Sequence, residues 1–331
     1  MEGNWNPGSL LGMSGYYWRS CVLHAAIRLD LFTVIGNESL TAETVADRIR
    51  ADSDGTARLL NALAAMKLMT KKEDRFGNTS AGSRFLSASS SEYIGHIILH
   101  HHHLMESWQQ LDRCVTSGKP VRTTLAFGDP AVREAFINAM STTAMLTAPR
   151  LVGHMDLSGR RALLDLGGGA GMYAIAFCKT NPHLSAWVLD LPSSQSQARA
   201  TIERFGMTGR VHFLAGDYLQ EDLPGTYDAV WMSHIFHSEN PDTCSRMLEK
   251  VYRVLDPGGL VAVHELILND DRTSPLFPAL FSLNMLTGTA EGRSYTNREL
   301  TLMLKGAGFT DITRLSYAGP TDSGILTAKK P

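Results

Sequence analysis

Two rhythms of apolar residues divide the chain near residue 155. Before that point apolar positions recur at the spacing of a helix face; after it, short β-rich runs alternate with helical segments. From Tyr16 to Phe32 the spacing predicts one helix with Tyr17, Cys21, His24, Ile27 and Leu31 on a single stripe. Thr41 is placed to cap a short helix carrying Val45, Ala46 and Ile49. A second helix carries Leu59, Leu60, Leu63 and Met66 and ends at Met69. The polar segment KKEDRFGNTS then reads as two strands joined by a Gly-Asn turn. Helix, turn, helix and a small wing predict a winged-helix unit. Such units often bind DNA. Here the second helix is mostly apolar, with little beyond Arg58 and Lys67 to offer a phosphate, so contact with a second subunit is the favoured use.

From Arg161 onward the pattern is strand, glycine turn, helix, strand. ALLDLG is a buried strand, MYAIAFCKTN a helix, SAWVLDLP a second strand, and Gln195 to Phe205 a helix. RVHFLAGDY and TYDAVWMSHIF make the third and fourth strands; a helix from Cys244 to Leu255 leads into the fifth, GGLVAVHELIL. Alternating β and α predicts a parallel sheet covered on both faces by helices. Thr310 to Ser316 and Gly324 to Lys329 read instead as an antiparallel hairpin on the sheet edge. The expected organisation is a dimerisation domain over 1–105, a helical connection lining an acceptor pocket over 106–155, and a ligand-binding α/β domain over 156–331.

Composition narrows the classes. At 331 residues the chain has room for about two domains. With 33 acids, 31 bases and a net charge of −2, it carries no positive field for a nucleic-acid backbone. An apolar fraction of 44% with 19% charged residues is globular rather than disordered. No apolar run approaches the roughly 18 residues of a membrane span. The start MEGNWNPGSLLG has no basic segment followed by an apolar one, so no secretory signal is expected. Cys21, Cys114, Cys178 and Cys244 are scattered without C-x-x-C spacing, which favours reduced thiols and a cytoplasmic setting.

The chemistry concentrates at strand ends. Asp165-Leu-Gly-Gly-Gly-Ala-Gly171 lies between a buried strand and a helix, so Gly167, Gly169 and Gly171 let backbone approach a ligand at a helix N-terminus. Asp190 closes the next strand, where an acid accepts both hydroxyls of a ribose. Asp217 closes the third, and it or its neighbour Tyr218 is placed to meet an adenine; Ser233, at the end of the fourth, joins this cofactor-binding set. Gly169, Gly171 and Ala174 also fit the dinucleotide pattern G-x-G-x-x-A, which leaves a nicotinamide oxidoreductase open. The mid-chain position of the turn and the antiparallel end of the sheet suit an S-adenosylmethionine (SAM) fold better.

These residues carry a family resemblance. LMESW at 104–108, FINAM at 136–140, DLGGGAG followed by VLDLP, and KGAGF at 305–309 are similar to the small-molecule O-methyltransferases that include plant caffeate O-methyltransferase and bacterial polyketide and phenazine O-methyltransferases. The resemblance implies a class I SAM methyltransferase domain behind a winged-helix dimerisation domain, a homodimer, SAM as cofactor and a small aromatic or polyketide-like acceptor. By the same resemblance His237 is the general base and Glu265 the carboxylate that orients it. A phenol with pKa near 10 is only about 0.1% ionised at pH 7, and a histidine side chain can take its proton.

Two positions depart from the family pattern: Ser238 stands where an aspartate usually follows the histidine, and Ser294 where a second supporting glutamate is common. His234 is a rival for the base, read as still on the strand. His96, His100 and His103 share one face of an expected helix; that spacing could chelate a metal, but pocket lining is the favoured reading and no metal is assigned. His100, His103, Met105, Trp108, Met140 and Met285, with Met145, are candidates for the acceptor pocket. Carbon or nitrogen methylation, non-methylating SAM chemistry and a winged-helix metabolite sensor remain alternatives.

Overall fold

The structure is a computed structural model describing residues 5–122 and 130–331, with side chains from 135 onward in the second stretch. The first four residues, read above for a secretion signal, and residues 123–129 of the expected helical connection lie outside the described residues. The chain forms two compact units, Met1–Met105 and Glu106–Pro331.

In the first unit, α1 (Pro7–Ser14) starts at a capping box in which Asn6 accepts from the Ser9 N–H at 3.0 Å. It is followed by α2 (Tyr17–Arg28) and α3 (Leu31–Ile35). The single helix expected over 16–32 is therefore broken, because Asp30 turns left-handed at φ 51° and redirects the chain. His24, Ile27 and Leu31 of the expected stripe are buried, whereas Tyr17 is 58% exposed. After β1 (Leu40–Thr41), Thr41 caps α4 (Ala42–Ile49) by accepting from Thr44 N–H at 3.2 Å, as its spacing implies. Asp52 caps α5 (Ser53–Ala65). That helix stops before Met69, which opens β2 (Met69–Lys72).

The following strand is β3 (Arg75–Asn78), and the turn between the two is Glu73–Asp74, with Glu73 at φ 55°. The expected Gly-Asn turn thus lies inside a strand. Gly77 pairs with Thr70, and a Cβ there would press within 3.3 Å of the Thr70 hydroxyl. Asn78 ties the strand to α3 by donating to the carbonyls of Phe32 and Gly36 at 2.7 and 2.9 Å. The sheet order is β1-β3-β2. Its core gathers Phe32, Ile35, Val45, Leu60, Leu63 and Phe76. α6 (Gly95–Trp108) follows and carries the histidine run.

The second unit contains α7 (Leu111–Ser117) and α8 (Pro130–Leu151), then β4 (Ala162–Leu166), α9 (Met172–Thr180), β5 (Ser185–Asp190), α10 (Gln195–Arg204), β6 (Val211–Ala215) and β7 (Tyr227–Ser233). It continues with α11 (Pro241–Val254), β8 (Leu255–Glu265), α12 (Leu276–Gly288), α13 (Asn297–Gly306), β9 (Thr310–Arg314) and β10 (Gly324–Lys329). The sheet order is β6-β5-β4-β7-β8-β10-β9. The first five strands run parallel, and β10 is antiparallel to both its neighbours, as the strand pattern implies.

Register aligns the strand ends that matter. Leu166 pairs with Leu189 on one side and Met232 on the other, and Ser233 pairs with His264. The order reverses at β4, so its carboxyl end opens onto the crevice where such sheets bind ligands. Apolar clusters on both faces of the sheet, one around Leu164, Val230 and Val263 and one around Tyr173, Phe177 and Trp231, hold those ends in place. Among the described residues no helix is long and apolar enough to cross a membrane.

Candidate active site

The glycine turn bends directly after β4. Gly167, Gly169 and Gly171 have φ of 68°, 53° and 77°, left-handed conformations that glycine adopts without steric cost. A Cβ on Gly167 would come within 2.6 Å of the Ile235 side chain, while one on Gly169 would meet nothing within 4 Å. The backbone of Gly169 is therefore open to an incoming group, and Gly171 caps α9 with the N-terminal end of that helix facing the turn.

Asp190 fastens the turn, accepting from Gly169 N–H at 2.8 Å, Leu191 N–H at 2.7 Å and the Ser194 hydroxyl at 2.9 Å. Burial pushes its pKa up against these three bonds, which pull it down. A carboxylate has roughly four acceptor sites, so one is left for a sugar hydroxyl. Tyr218 lies beside Gly167, its ring 3.5 Å from where a Cβ would be. Asp217 follows β6 and is half-buried, with one oxygen accepting from Leu219 N–H at 2.9 Å. Ser233, at the end of β7, has its hydroxyl bonded to His264 Nδ1 at 2.9 Å. Open glycine backbone, an anchored acid with spare acceptor capacity and an adjacent aromatic ring fit a nucleoside such as that of SAM.

Asp165, at the end of β4, is the acid that spacing alone did not single out. It is buried, and desolvation raises its pKa to about 7. One oxygen accepts from Ala174 N–H at 3.2 Å, and the other has no partner.

His237 stands in the loop after β7, and Glu265 ends β8. His237 Nδ1 lies 3.0 Å from Glu265 Oε2, which makes Nδ1 the protonated nitrogen and leaves Nε2 as acceptor. Glu265 Oε1 also accepts from the backbone N–H groups of Phe236 and His237 at 3.0 and 3.3 Å, and Oε2 from Leu266 N–H at 3.1 Å. Burial pushes the Glu265 pKa up, but the two facing histidines and their hydrogen bonds outweigh it and hold the carboxyl well below the usual range. The edge of the Phe281 ring covers His237, with centroids 4.8 Å apart at 79°.

His234 is not on the strand. β7 ends at Ser233, and His234 takes φ 57°, which swings its Nδ1 to 3.7 Å from the same Glu265 oxygen. His234, His237 and Glu265 form the one group of three among the described residues whose donor atoms could hold a metal, all within 4.8 Å of one another. The His96, His100 and His103 face is not such a group among the described residues. His264, fully buried behind this pair, bonds the Ser233 and Ser323 hydroxyls at 2.9 Å each, and burial holds its pKa well below the ordinary value. That network was not legible in spacing.

The two departures from the family pattern have local explanations. Ser238 bonds the Ile235 carbonyl at 3.1 Å, closing the loop that presents His237. Ser294 is buried and donates to the Pro278 carbonyl at 2.8 Å, tying its segment to α12. Of the acceptor-pocket candidates, His100, His103 and Met105 belong to the first unit, where Met105 Sδ lies 3.2 Å from His24 Nδ1. Trp108, Met140, Met145 and Met285 belong to the second. There Trp108 Nε1 donates to Asn284 on α12 at 3.1 Å, Met285 is buried on the same helix, Met145 is half-buried and Met140 is 37% exposed on α8.

Comparison with known proteins now gives this geometry a family. Residues 108–310 match the O-methyltransferase domain, and residues 11–88 the O-methyltransferase dimerisation domain. The chain is 31% identical to a 3-hydroxy-5-methyl-1-naphthoate 3-O-methyltransferase of Streptomyces sahachiroi, across 98% of this chain and 95% of that one. It is 30% identical to the tetracenomycin polyketide synthesis 8-O-methyl transferase TcmO of Streptomyces glaucescens, across 98% and 97%. The solved human N-acetylserotonin methyltransferase, in complex with SAM, superposes with a TM-score of 0.87 at 26% identity, covering 100% of this chain and 99% of that one. These matches point to a methyl donor rather than a nicotinamide as the cofactor. The chain belongs to the O-methyltransferase family and is a SAM-dependent methyltransferase with an N-terminal dimerisation domain.

Proposed function

We propose that this protein methylates a hydroxyl of a small aromatic or polyketide-like acceptor, with His237 as general base and Glu265 as its orienting carboxylate. The observation that carries the reading is the 3.0 Å bond from His237 Nδ1 to a buried carboxylate, which leaves Nε2 free to receive a proton. The acceptors printed for the two Streptomyces relatives, a hydroxynaphthoate and a polyketide, supply the acceptor class. Bound SAM supplies an electrophilic methyl on a positively charged sulfur. Gly167, Gly169, Gly171, Asp190, Asp217, Tyr218 and Ser233 are the residues assigned to hold it.

The protein's own part is positional and acid–base. His237 Nε2 takes the acceptor's hydroxyl proton as the oxygen attacks, and the anionic Glu265 stabilises the imidazolium that results. Phe281 on one flank keeps water from the ring. No covalent bond to the protein is required, so holding the oxygen in line with the methyl supplies much of the remaining acceleration. The test is direct: calorimetry with S-adenosylhomocysteine, then mass detection of a methylated phenol or hydroxylated polyketide. Binding of NAD in place of S-adenosylhomocysteine, or product methylated on carbon or nitrogen, refutes the reading.

The rest of the assignment is architectural. Residues 1–105 act as a winged-helix dimerisation domain, 106–155 as a helical connection lining the acceptor pocket, and 156–331 as the catalytic domain of a homodimer. The order helix, helix, hairpin with a three-stranded sheet supports the winged-helix reading. The four cysteines are free thiols, in keeping with a cytoplasmic setting. Trp108, Met140 and Met285 of the second unit stay assigned to the acceptor pocket.

A further inference from the structure

Arg122 is a half-buried cation with no anion beside it among the described residues. Its Nε and Nη1 are shielded from solvent and have no hydrogen-bond partner among the described residues, and no carboxylate there forms an ion pair with it. Burial lowers its pKa. Shielded N–H groups of a guanidinium left without acceptors are costly, and the cost is relieved when an anion arrives.

The position is built, not accidental. The backbone N–H groups of Val121 and Arg122 donate to the Thr287 carbonyl at 3.3 and 3.1 Å, pinning this segment to the end of α12. The guanidinium lies over Gly288, where any Cβ would collide with it. Gly288 occupies the same face of α12 as Phe281, Asn284 and Met285, since 281, 284, 285 and 288 follow helical spacing. Phe281 is the residue whose ring meets His237. Seven residues separate Phe281 from Gly288, which is about 10 Å along the helix. One face of α12 thus carries an aromatic wall at the proposed base and an unpaired cation about the length of a two-ring aromatic molecule away.

We propose that Arg122 receives a carboxylate of the acceptor, so that the preferred substrate is an aromatic hydroxy acid whose hydroxyl meets His237 and whose acid meets the guanidinium. This rests on the hydroxyl-methylating reading above. A bidentate guanidinium–carboxylate pair is directional as well as strong, so it fixes which hydroxyl of a polyhydroxylated acceptor reaches the base.

The test compares hydroxynaphthoates with their primary amides and with the parent naphthols, with SAM in excess. Acids are expected to exceed both neutral series by roughly 10–100-fold in kcat/KM, mostly through KM, the range for hydrogen bonds to a charged group. Arg122→Gln collapses that ratio towards one, and Arg122→Lys, which keeps charge but loses the fork, falls between. Calorimetry with S-adenosylhomocysteine checks that each variant is folded; if Arg122→Gln is not, the Arg122→Lys ratio decides. Naphthols methylated as well as the acids overturn the proposal and leave hydroxyl methylation standing. So does a variant that slows acids and neutral compounds by the same factor, which is the mark of a merely structural arginine. Failure of every hydroxyl acceptor to be methylated removes the underlying reading, and this proposal with it.

Discussion

His237 Nδ1 sits 3.0 Å from Oε2 of Glu265, and that one bond decides which imidazole nitrogen can meet an acceptor. Glu265 is 2% exposed and accepts three backbone N–H groups besides, so its charge is fixed in direction before any ligand arrives. The His237 imidazole is therefore oriented by the strand end rather than by its own loop.

His237→Ala should reduce turnover by roughly 10²–10⁴, about 3–5 kcal/mol of barrier, while leaving S-adenosylhomocysteine affinity unchanged. Glu265→Gln keeps the base and removes its charge support, so it should lose less. Raising the pH towards the pKa of the acceptor's own hydroxyl should partly restore the alanine variant, because the phenolate then forms unaided. Steady-state rates between pH 6 and about 10 check this; near-normal turnover of His237→Ala at pH 7 assigns the proton to another group.

Asp190→Ala should weaken donor binding by roughly 10–100-fold, the range for hydrogen bonds to a charged group. It removes the proposed acceptor for a ribose hydroxyl and also frees the Gly169 N–H that Asp190 holds at 2.8 Å. Isothermal titration with S-adenosylhomocysteine reads the loss, which should appear in donor KM and leave acceptor KM nearly unchanged. A loss confined to acceptor KM contradicts the assignment.

The exposed apolar surface of the first two helices, with Leu11 75%, Tyr17 58% and Trp18 66% exposed, is suited to a second subunit. Light scattering at micromolar concentration should give twice the chain's mass, and Leu11→Asp combined with Trp18→Asp should shift it towards the monomer. A wild-type monomer under those conditions refutes the homodimer.

Where a signal is local, it was legible in the chain. Thr41 caps its helix because a hydroxyl three residues before an N–H is a matter of a few bonds, and buried runs such as Ala162–Leu166 announce parallel strands by having no polar face. Gly167 to Gly171 and Asp190 follow from strand-end spacing, and His237 with Glu265 from the family pattern. What escaped depends on conformations that residue type does not dictate. Asp30, Glu73 and His234 all adopt left-handed φ without being glycine, and these three residues respectively broke a helix, moved a hairpin turn and brought a second imidazole to Glu265. Arg122 and Gly288 are separated by 166 positions, so no spacing rule joins them.

Asp165 should make stability fall as pH rises. Its folded pKa is raised from 3.8 to about 7, because burial penalises the charged form and nearby Asp190 adds to the effect, while one hydrogen bond from Ala174 opposes it. Below the unfolded pKa both states are protonated and nothing is lost. As pH climbs from about 4 to about 7 the unfolded chain ionises while the folded one still holds its proton, and stability declines throughout that window. Above it the loss is constant, at most about 4 kcal/mol at 1.36 kcal/mol per unit of pKa. Asp165→Asn keeps an oxygen for Ala174 N–H and has no charge to bury, so its Tm should gain on the wild type steadily from pH 4.5 to 7.5 and stay ahead by a constant margin beyond. Glu265 pulls the opposite way, since its depressed pKa weakens the fold as pH falls, but it does so equally in both proteins and cancels in the difference. A Tm difference that is flat across this range means Asp165 is ionised in the folded state at every pH, held there by a donor on its second oxygen.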